Sequence, residues 1–265
     1  MSNPAGSFIW YELMTRDADG AAAFYGAVVG WKIGASTSLE AGGVDYRMIE
    51  RDDGGAAGGV LGLSNAMIEA GARPRWMPYL YAPDVDATVS EIAARGGQVQ
   101  MPATDLPAGR IAMVTDPQGV PLYLMNPNPP ADRPDATSDV FDERAAQRVR
   151  WNELSSPDDA ASMRFYAEQF GFAFNGSMPM GELGDYTFFT HHGRGLGAVM
   201  RCQNGQLPAW LFYFGVPSIM DAHDAVRANG GTILHSPREV PGGEWSLVAR
   251  DPHGAAFGLV GPKLN

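Results

Sequence analysis

Apolar and polar residues alternate over residues 8–14, which is the pattern of a half-buried strand. An apolar stripe at helical spacing then predicts a helix over about 20–29. Asp17 or Asp19 is expected to cap the start of this helix, and Gly30 to end it. Turn residues separate three further predicted strands, near residues 31–37, 44–50 and 57–63. The order of elements is therefore strand, helix and three strands.

This order of elements recurs along the chain. A second copy begins with WMPYLYA at 76–82 and continues with a helix near 84–95. Its three strands are predicted near residues 98–101, 110–115 and 120–125. A third copy begins at 149–156, where VRWNELSS repeats FIWYELMT of residues 8–15, and a fourth begins at 210–216. The third copy has a predicted helix near 158–169 and strands near 172–178, 185–191 and 195–201. The chain thus consists of two halves, each with two such copies.

An acidic residue recurs at the same place in both halves. Glu12 and Glu153 each lie inside an otherwise apolar first strand, and they are 141 residues apart. Trp10 and Trp151 have the same separation. Because alternate residues of a strand share one face, each Trp lies on the same face as its Glu. The duplication therefore predicts an acid aimed into the interior of each half.

A proline-rich stretch separates the two halves. The segment NPNPPADRPDATSD at residues 126–139 contains four prolines and few apolar residues, which is typical of an extended linker. We therefore predict a first domain over residues 1–126, a linker over 127–147 and a second domain over 148–265. Two domains also agree with a length of 265 residues.

The composition argues against several classes of partner. The formal net charge is −11, and an acidic surface repels the phosphate backbone of nucleic acids. No apolar run reaches the ~18 residues of a membrane span, and the N-terminus lacks the pattern of a signal peptide. Cys202 is the single cysteine, so no disulfide can form within the chain. These features predict a cytoplasmic protein that binds neither nucleic acid nor membranes.

Two short motifs occur in both halves, in the same order. The end of the first helix reads F-Y-x(4)-G at residues 24–30 and again at 165–171. The turn before the last strand reads D-P-x-G at residues 116–119 and 251–254. Together with an aromatic first strand that carries a polar residue, these motifs resemble the vicinal oxygen chelate superfamily. That superfamily includes glyoxalase I, bleomycin-resistance proteins and extradiol dioxygenases, and the resemblance is to its tandem two-domain, glyoxalase-like members.

The resemblance implies an α+β fold in which each domain contains two βαβββ units. Their strands form a curled mixed sheet, an open cup that holds a ligand or a metal ion. Because single-domain relatives often form dimers, the two domains of this chain are expected to pack together. Metal-using members place their ligands on the first, fourth, fifth and eighth strands of a domain.

The residues at these positions are poor metal ligands. The first-strand positions fall on Glu12 and Glu153, and the fourth strands at 58–63 and 195–200 offer no ligand. The fifth- and eighth-strand positions fall on Met77, Leu211, Tyr123 and Gly258. A divalent cation needs several N, O or S donors that converge, so one glutamate in each cup is too few. We therefore expect no metal cofactor.

Aromatic side chains are expected to line the two cups instead. The first cup would contain Trp10, Glu12, Met77, Tyr79, Tyr81 and Tyr123. The second would contain Trp151, Glu153, Leu211, Tyr213 and Gly258, with Tyr186, His191 and His192 as further candidates. The two histidines are otherwise expected to be exposed at a strand end. An apolar cavity with few polar groups is typical of a small-molecule site.

Four functions remain open at this stage. The cups bind a small molecule without catalysis, as drug-sequestering members of the superfamily do, or Glu12 or Glu153 is the general base of a lyase- or isomerase-type enzyme. These two are preferred over a metal-dependent glyoxalase or dioxygenase and over a scaffold protein without a ligand pocket. The two glutamates could equally be structural, each hydrogen-bonded to a neighbouring Tyr, Trp or backbone group.

Overall fold

The structure, a computed structural model, describes residues 3–36, 43–203 and 205–264. The first half contains β1 (Phe8–Thr15), α1 (Ala18–Val29), β2 (Lys32–Ile33), β3 (Tyr46–Glu50), β4 (Ala56–Gly62), α2 (Asn65–Glu69), β5 (Arg75–Tyr81), α3 (Val85–Ala94), β6 (Gln98–Leu106), β7 (Gly109–Thr115) and β8 (Pro121–Pro127). The second half contains β9 (Val149–Ser156), α4 (Asp159–Phe170), β10 (Ala173–Pro179), β11 (Asp185–His191), β12 (Arg194–Arg201), β13 (Ala209–Gly215), α5 (Ile219–Ala228), β14 (Thr232–Glu239), β15 (Trp245–Arg250) and β16 (Ala256–Gly261). The α+β class and the four copies of the predicted element order are confirmed.

Three elements differ from the prediction. The strand expected near 31–37 is the two-residue β2, and position 37 lies outside the described residues. The strand expected near 98–101 continues to Leu106. The short helix α2 has no periodic signal, and its start depends on Ser64, whose hydroxyl accepts a hydrogen bond from the Met67 amide at 3.2 Å. Among the described residues, the helices are all too short or too polar to cross a membrane.

Local capping determines where the first helix of each half begins and ends. Asp17 rather than Asp19 caps α1, because its side chain accepts a hydrogen bond from the Gly20 amide at 2.8 Å. Gly30 ends α1 in the left-handed conformation, with φ 85°. In the second half, Asp158 and a left-handed Gly171 cap α4 in the same way. The repeated motif therefore produces the same helix twice.

Each half forms one eight-stranded mixed sheet. The first sheet has the strand order β2-β3-β4-β1-β5-β8-β7-β6, and the second has the order β10-β11-β12-β9-β13-β16-β15-β14. Parallel pairs lie near the centre of each sheet, such as β1 with β4 and β5 with β8. The outer pairs are antiparallel. The two orders correspond strand for strand, and neither sheet closes on itself, in agreement with the predicted open cups.

The chain groups into two compact units that do not coincide with its two halves. The first unit comprises Met1–Ile9, Met77–Ser138 and Asn152–Trp210. The second unit comprises Trp10–Trp76, Asp139–Trp151 and Leu211–Asn265. Each unit therefore takes one strand–helix–three-strand copy from each half. The predicted domain boundaries follow the sequence repeat and stay a prediction.

A buried tyrosine and a buried aspartate connect the two copies inside each unit. In the second unit, Tyr25 on α1 donates a hydrogen bond to Asp251 at 3.1 Å and accepts one from the Trp76 indole at 2.9 Å. In the first unit, Tyr166 on α4 donates to Asp116 at 3.1 Å. Burial raises the pKa of both phenols well above the ordinary value, so both remain neutral donors. The F-Y-x(4)-G and D-P-x-G motifs thus meet in each unit.

The end of the predicted linker is anchored inside the second unit. Arg51, which is buried, pairs with Asp139 at 2.6 Å. The Gln147 side chain donates to the Gly30 carbonyl at 2.8 Å, and the Gln147 carbonyl accepts from the Trp31 indole at 2.9 Å. These bonds hold Gln147 at φ 60°, a conformation that non-glycine residues rarely adopt.

Candidate functional site

Hydrogen bonds to the helices identify the two faces of each sheet. Trp76 on β5 bonds to Tyr25 on α1, and the Ser156 hydroxyl on β9 bonds to that of Ser162 on α4 at 2.7 Å. Because alternate residues of a strand point to opposite faces, the odd-numbered residues of β5 and of β9 lie on the other face. We call this other face the helix-free face. It carries Glu153 and the predicted site residues of β5.

The glutamate face is the helix-free face of β9–β12 in the first unit. Its members, which follow from the strand register, are Glu153, Ser155, Met178, Tyr186, Phe188 and Met200. The Tyr186 hydroxyl donates a hydrogen bond to Glu153 Oε2 at 2.7 Å. Glu153 is only 9% exposed, and a hydrogen bond to a charged acceptor contributes about 1.5–3 kcal/mol. A second hydrogen bond on this face runs from the Gln206 side-chain amide to the Ser155 hydroxyl, at 3.0 Å.

Apolar side chains occupy the rest of the glutamate face. Glu153 lies opposite Ala198, and Ala198 lies opposite Phe188 on the next strand. Tyr186 lies opposite Met178. The rings of Tyr186 and Phe188 meet edge to face, with centroids 5.9 Å apart and planes at 83°. Next to the polar pair, the face thus presents aromatic and aliphatic surface.

The first-half counterpart of this face lies in the second unit. Glu12 is 2% exposed and lies opposite Gly59 on β4. The Trp10 indole donates a hydrogen bond to the Tyr46 hydroxyl at 2.8 Å. A Cβ at Gly59 would lie 2.2 Å from that hydroxyl oxygen, so the Tyr46 phenol covers the glycine beside Glu12. Both halves therefore place a tyrosine from the third strand of the copy near the strand of the acid.

The tyrosine face is the helix-free face of β5–β8 in the first unit. Tyr79 and Tyr123 are direct partners on parallel strands, and their rings stack with centroids 4.4 Å apart and planes at 15°. Met113 continues this row on β7, and Met101 on β6. The remaining predicted residues of this face are Met77, which is buried, and Tyr81, which is half-buried. This face is aromatic and sulfur-rich, with phenol hydroxyls as its polar groups.

The second-half counterpart of the tyrosine face lies in the second unit and has a different surface. Tyr213 lies opposite Gly258, and Gly258 lies opposite Val248. This unit also contains two further residues predicted for the second cup, Leu211 and Trp151. Both are half-buried.

The structure brings together some of the predicted residues and adds one. Tyr186, a candidate from the sequence, bonds directly to Glu153. Tyr46, which is not among the candidates predicted from the sequence, has the equivalent place beside Glu12. The signal that could have identified it is the dipeptide Asp-Tyr, which occurs at 45–46 and 185–186.

Within residues 3–36, 43–203 and 205–264, the structure shows how the possible metal-ligand side chains are distributed. Among the described residues, His, Cys, Asp and Glu side chains nowhere form a group of three or more that could hold a metal ion.

The expectation that His191 is exposed is wrong, because its imidazole is buried against the carbonyl groups of Ala5 and Phe170. Burial, together with the neighbouring His192, lowers the pKa of His191. His191 is therefore part of the packing, while His192 is exposed.

Two groups of relatives match the sequence. The "Putative glyoxylase CFP32" of Mycobacterium tuberculosis is 29% identical over 257 residues, which cover 96% of this chain and 94% of the relative. The "Anthracycline biosynthesis protein DauV" of a Streptomyces species (strain C5) is 32% identical over 124 residues, 41% of this chain and 45% of the relative. This chain is thus similar to the first along its whole length and to the second over part of it.

Solved structures and a family profile identify the fold and the family. The Mn(II)-bound glyoxalase from Novosphingobium aromaticivorans matches with a TM-score of 0.64 and 16% identity, covering 97% of this chain and 82% of that one. The 2,3-dioxygenase LapB from Pseudomonas sp. KL28 matches with a TM-score of 0.62 and 13% identity, covering 98% and 94%. At these identities the likeness shows the fold alone. The profile of the family matches residues 7–124 and 148–259, which include nearly all of both sheets. The chain belongs to the Glyoxalase/Bleomycin resistance protein/Dioxygenase superfamily.

Proposed function

We propose that this chain binds a small planar aromatic molecule on the helix-free faces of its sheets. The observation that carries the proposal is the hydrogen bond between Tyr186 and Glu153 on an otherwise apolar face. Such a surface, apolar with few polar groups, is the usual composition of a small-molecule site. An ionised carboxylate has roughly four acceptor positions. Glu153 can therefore accept a hydrogen bond from a ligand hydroxyl or amine in addition to that from Tyr186.

The other side chains support a flat ligand. Phe188 on the glutamate face is half-buried, and its ring is a surface on which a ligand can stack. The flexible side chains of Met178 and Met200 adapt to irregular apolar shapes. Two relatives from Streptomyces are named for the biosynthesis of anthracyclines, which are planar polycyclic compounds, and this supports the same class of ligand.

Binding without a metal ion is part of this proposal. By the resemblance, the first-strand ligand position of each half falls on a glutamate, Glu12 or Glu153. The fifth- and eighth-strand positions fall on Met77 and Tyr123 in the first half, and on Leu211 and Gly258 in the second. These last four residues are poor ligands for a hard divalent cation, and one glutamate in each half is too few to hold it. We therefore expect the chain to bind its ligand equally well after treatment with a chelator.

A panel of ligands tests the proposal. Thermal unfolding is followed with phenol, catechol and a hydroxylated anthraquinone, each with and without EDTA. We expect a rise in the unfolding temperature that EDTA does not change, and about tenfold weaker binding in Glu153→Gln, because the neutral amide is a weaker acceptor. Glu182→Gln is the matched control, since Glu182 is an exposed glutamate of the same unit.

Two results would contradict the proposal. The first is that no planar aromatic ligand raises the unfolding temperature. The second is that stabilisation disappears with EDTA and returns with a divalent metal ion, which would support a metal-dependent glyoxalase or dioxygenase instead.

Catalysis by the same carboxylate is the second candidate function. Glu153 is nearly buried and hydrogen-bonded to a phenol, and Glu12 is buried. A carboxylate in such surroundings suits the removal of a proton next to a carbonyl group, as in a lyase or isomerase. The relative named a putative glyoxylase is compatible with this. Exchange of an acidic C–H of a bound carbonyl compound in D₂O, observed by NMR and lost in Glu153→Gln or Glu12→Gln, would support catalysis over simple binding.

A further inference from the structure

A positively charged side chain lies on the helix-free face of β5. Arg75 is the first residue of this strand and belongs to the second unit. The next residue, Trp76, points towards α1, where its indole donates a hydrogen bond to Tyr25 at 2.9 Å. Because alternate residues of a strand point to opposite faces, Arg75 points away from the helix. It is half-buried, so the residue keeps part of its accessible surface.

The Arg75 guanidinium differs from those of the other buried arginines in its partners. Within the part of the chain that the structure describes, it forms neither a hydrogen bond nor an ion pair. A guanidinium carries five N–H donors, and a partly buried cation without a partner is costly. The other buried and half-buried arginines of the described residues each pair with a carboxylate, namely Arg47 with Asp45, Arg51 with Asp139, Arg110 with Asp86, Arg148 with Asp139 and Arg150 with Glu244.

The charged end of Arg75 is itself removed from water. Burial lowers the pKa of this guanidinium, and the positive charge of Arg73 lowers it further. Burial of the aliphatic stem alone would leave the charged group hydrated. Arg73 is exposed, and it donates to uncharged backbone carbonyl groups, that of Ala72 at 2.8 Å and that of Ile68 at 3.2 Å. The two arginines thus form a positive pair in a chain whose net charge is −11.

We propose that Arg75 binds the carboxylate of an aromatic acid on the first sheet. A carboxylate supplies the counter-charge, and its two oxygens match two parallel N–H groups of a guanidinium. The aromatic part of this ligand rests on the proposed function, which assigns planar rings to the helix-free faces. The anionic group is the new element, and it makes an aromatic acid rather than a phenol the preferred ligand of this sheet.

The second half of the chain has a different residue at this place. Its matching strand, β13, begins with Ala209, and Trp210 follows Ala209 as Trp76 follows Arg75. The alanine side chain has no group that binds an anion. The second sheet should therefore prefer a neutral ligand, and each chain should bind one equivalent of an aromatic acid.

Three probes separate the carboxylate from the ring. Benzoate has both, phenol has the ring without the carboxylate, and acetate has the carboxylate without the ring. Calorimetry measures the first two, and the NMR shift of the Arg75 Nε–H signal measures acetate. We expect Arg75→Met to weaken benzoate binding about ten- to hundredfold, because a hydrogen-bonded charge pair is lost, and to leave phenol binding unchanged. Arg73→Met is the matched control and should weaken benzoate binding by less than about threefold, since Arg73 is exposed.

The unfolding temperature of the free chain gives a readout that needs no ligand. Methionine keeps the apolar stem without the charge, so Arg75→Met should keep or raise this temperature. Arg150→Met should lower it, because Glu244 would lose the guanidinium that now binds it at 2.6 Å. Arg75→Lys keeps the charge but not the two parallel donors, so its affinity for benzoate should be intermediate. This last variant also tests the proposal if Arg75→Met does not fold.

The outcomes separate the proposed function from the role of Arg75. If phenol and benzoate fail to bind while acetate shifts the Arg75 signal, the proposed function is wrong and Arg75 binds a carboxylate without a ring. If none of the three probes binds, both proposals are wrong. If phenol binds, but benzoate binds equally well to the unsubstituted chain and to Arg75→Met, the proposed function stands and the role of Arg75 is refuted.

Two further results would overturn the assignment of Arg75. The first is a decrease in unfolding temperature in Arg75→Met as large as that in Arg150→Met, which would show that Arg75 has a structural partner. The second is tighter binding of inorganic phosphate than of benzoate, which would exclude a carboxylate as the preferred anion.

Discussion

The hydrogen bond from Tyr186 to Glu153 leads to a quantitative prediction. Tyr186→Phe removes one hydroxyl and keeps the ring that contacts Phe188. Since Glu153 is only 9% exposed, water replaces the lost donor only in part. Loss of a hydrogen bond to a charged acceptor in such a place costs about 2 kcal/mol. For a chain of this length, this corresponds to a decrease of roughly 4–8 °C in the unfolding temperature.

A double-mutant cycle isolates this interaction from other effects of the substitutions. The free energy of unfolding is measured by urea denaturation for Tyr186→Phe, for Glu153→Gln and for the double variant. We expect the two changes to be coupled by about 1–2 kcal/mol, because the phenol and the carboxylate are in direct contact. Tyr186→Phe combined with Glu182→Gln is the control and should be additive, since Glu182 is exposed.

The predicted interaction would be refuted if the effects of Tyr186→Phe and Glu153→Gln on the free energy of unfolding were additive. A coupling energy below about 0.5 kcal/mol lies within the range of independent sites. It would mean that Glu153 and Tyr186 do not interact in solution, and the polar anchor of the proposed ligand would then be lost.

Two further predictions concern stability. Tyr25→Phe and Tyr166→Phe each remove one buried tyrosine–aspartate hydrogen bond of 3.1 Å. Each should therefore lower the free energy of unfolding, measured by urea denaturation, by a similar amount of about 1–3 kcal/mol. A large effect of one substitution and none of the other would contradict the equivalence of these two hydrogen bonds. The pKa of His191 is lowered below its ordinary value of 6.5 by burial, so the unfolded chain binds a proton more readily than the folded one. The contribution of His191 to the free energy of unfolding should therefore be fully present above pH 6.5 and decrease as the pH falls below it. In His191→Gln, the unfolding temperature should depend less on pH in this range. An unchanged slope would show that His191 is not responsible.

Local and repeated features of the fold could be predicted from the sequence. Asp17 and Gly30 mark the ends of a helix because capping depends only on neighbouring residues. The alternation in β9 groups Glu153 with Trp151 and Ser155 on one face of the strand, because a strand has a strict period of two. The duplication gives each of these two patterns a second example in the other half of the chain.

Contacts between distant parts of the chain could not be predicted in this way. Tyr25 and Asp251 are 226 residues apart, and no periodicity relates a helix of the first half to a turn of the second. His191 is buried because the Ala5 and Phe170 carbonyl groups lie against it, and the pattern of its own strand shows neither of them. The pairing of Tyr186 with Glu153 depends on strand register, which a single sequence leaves open.

Calorimetric titration of the EDTA-treated chain with a hydroxylated anthraquinone tests the central claim most directly. The account predicts saturable binding in the absence of metal, unchanged when Mn²⁺ or Zn²⁺ is added, and about tenfold weaker in Glu153→Gln but not in Glu182→Gln. Binding that occurs only after a divalent ion is supplied, or that is the same in both glutamate variants, would contradict it.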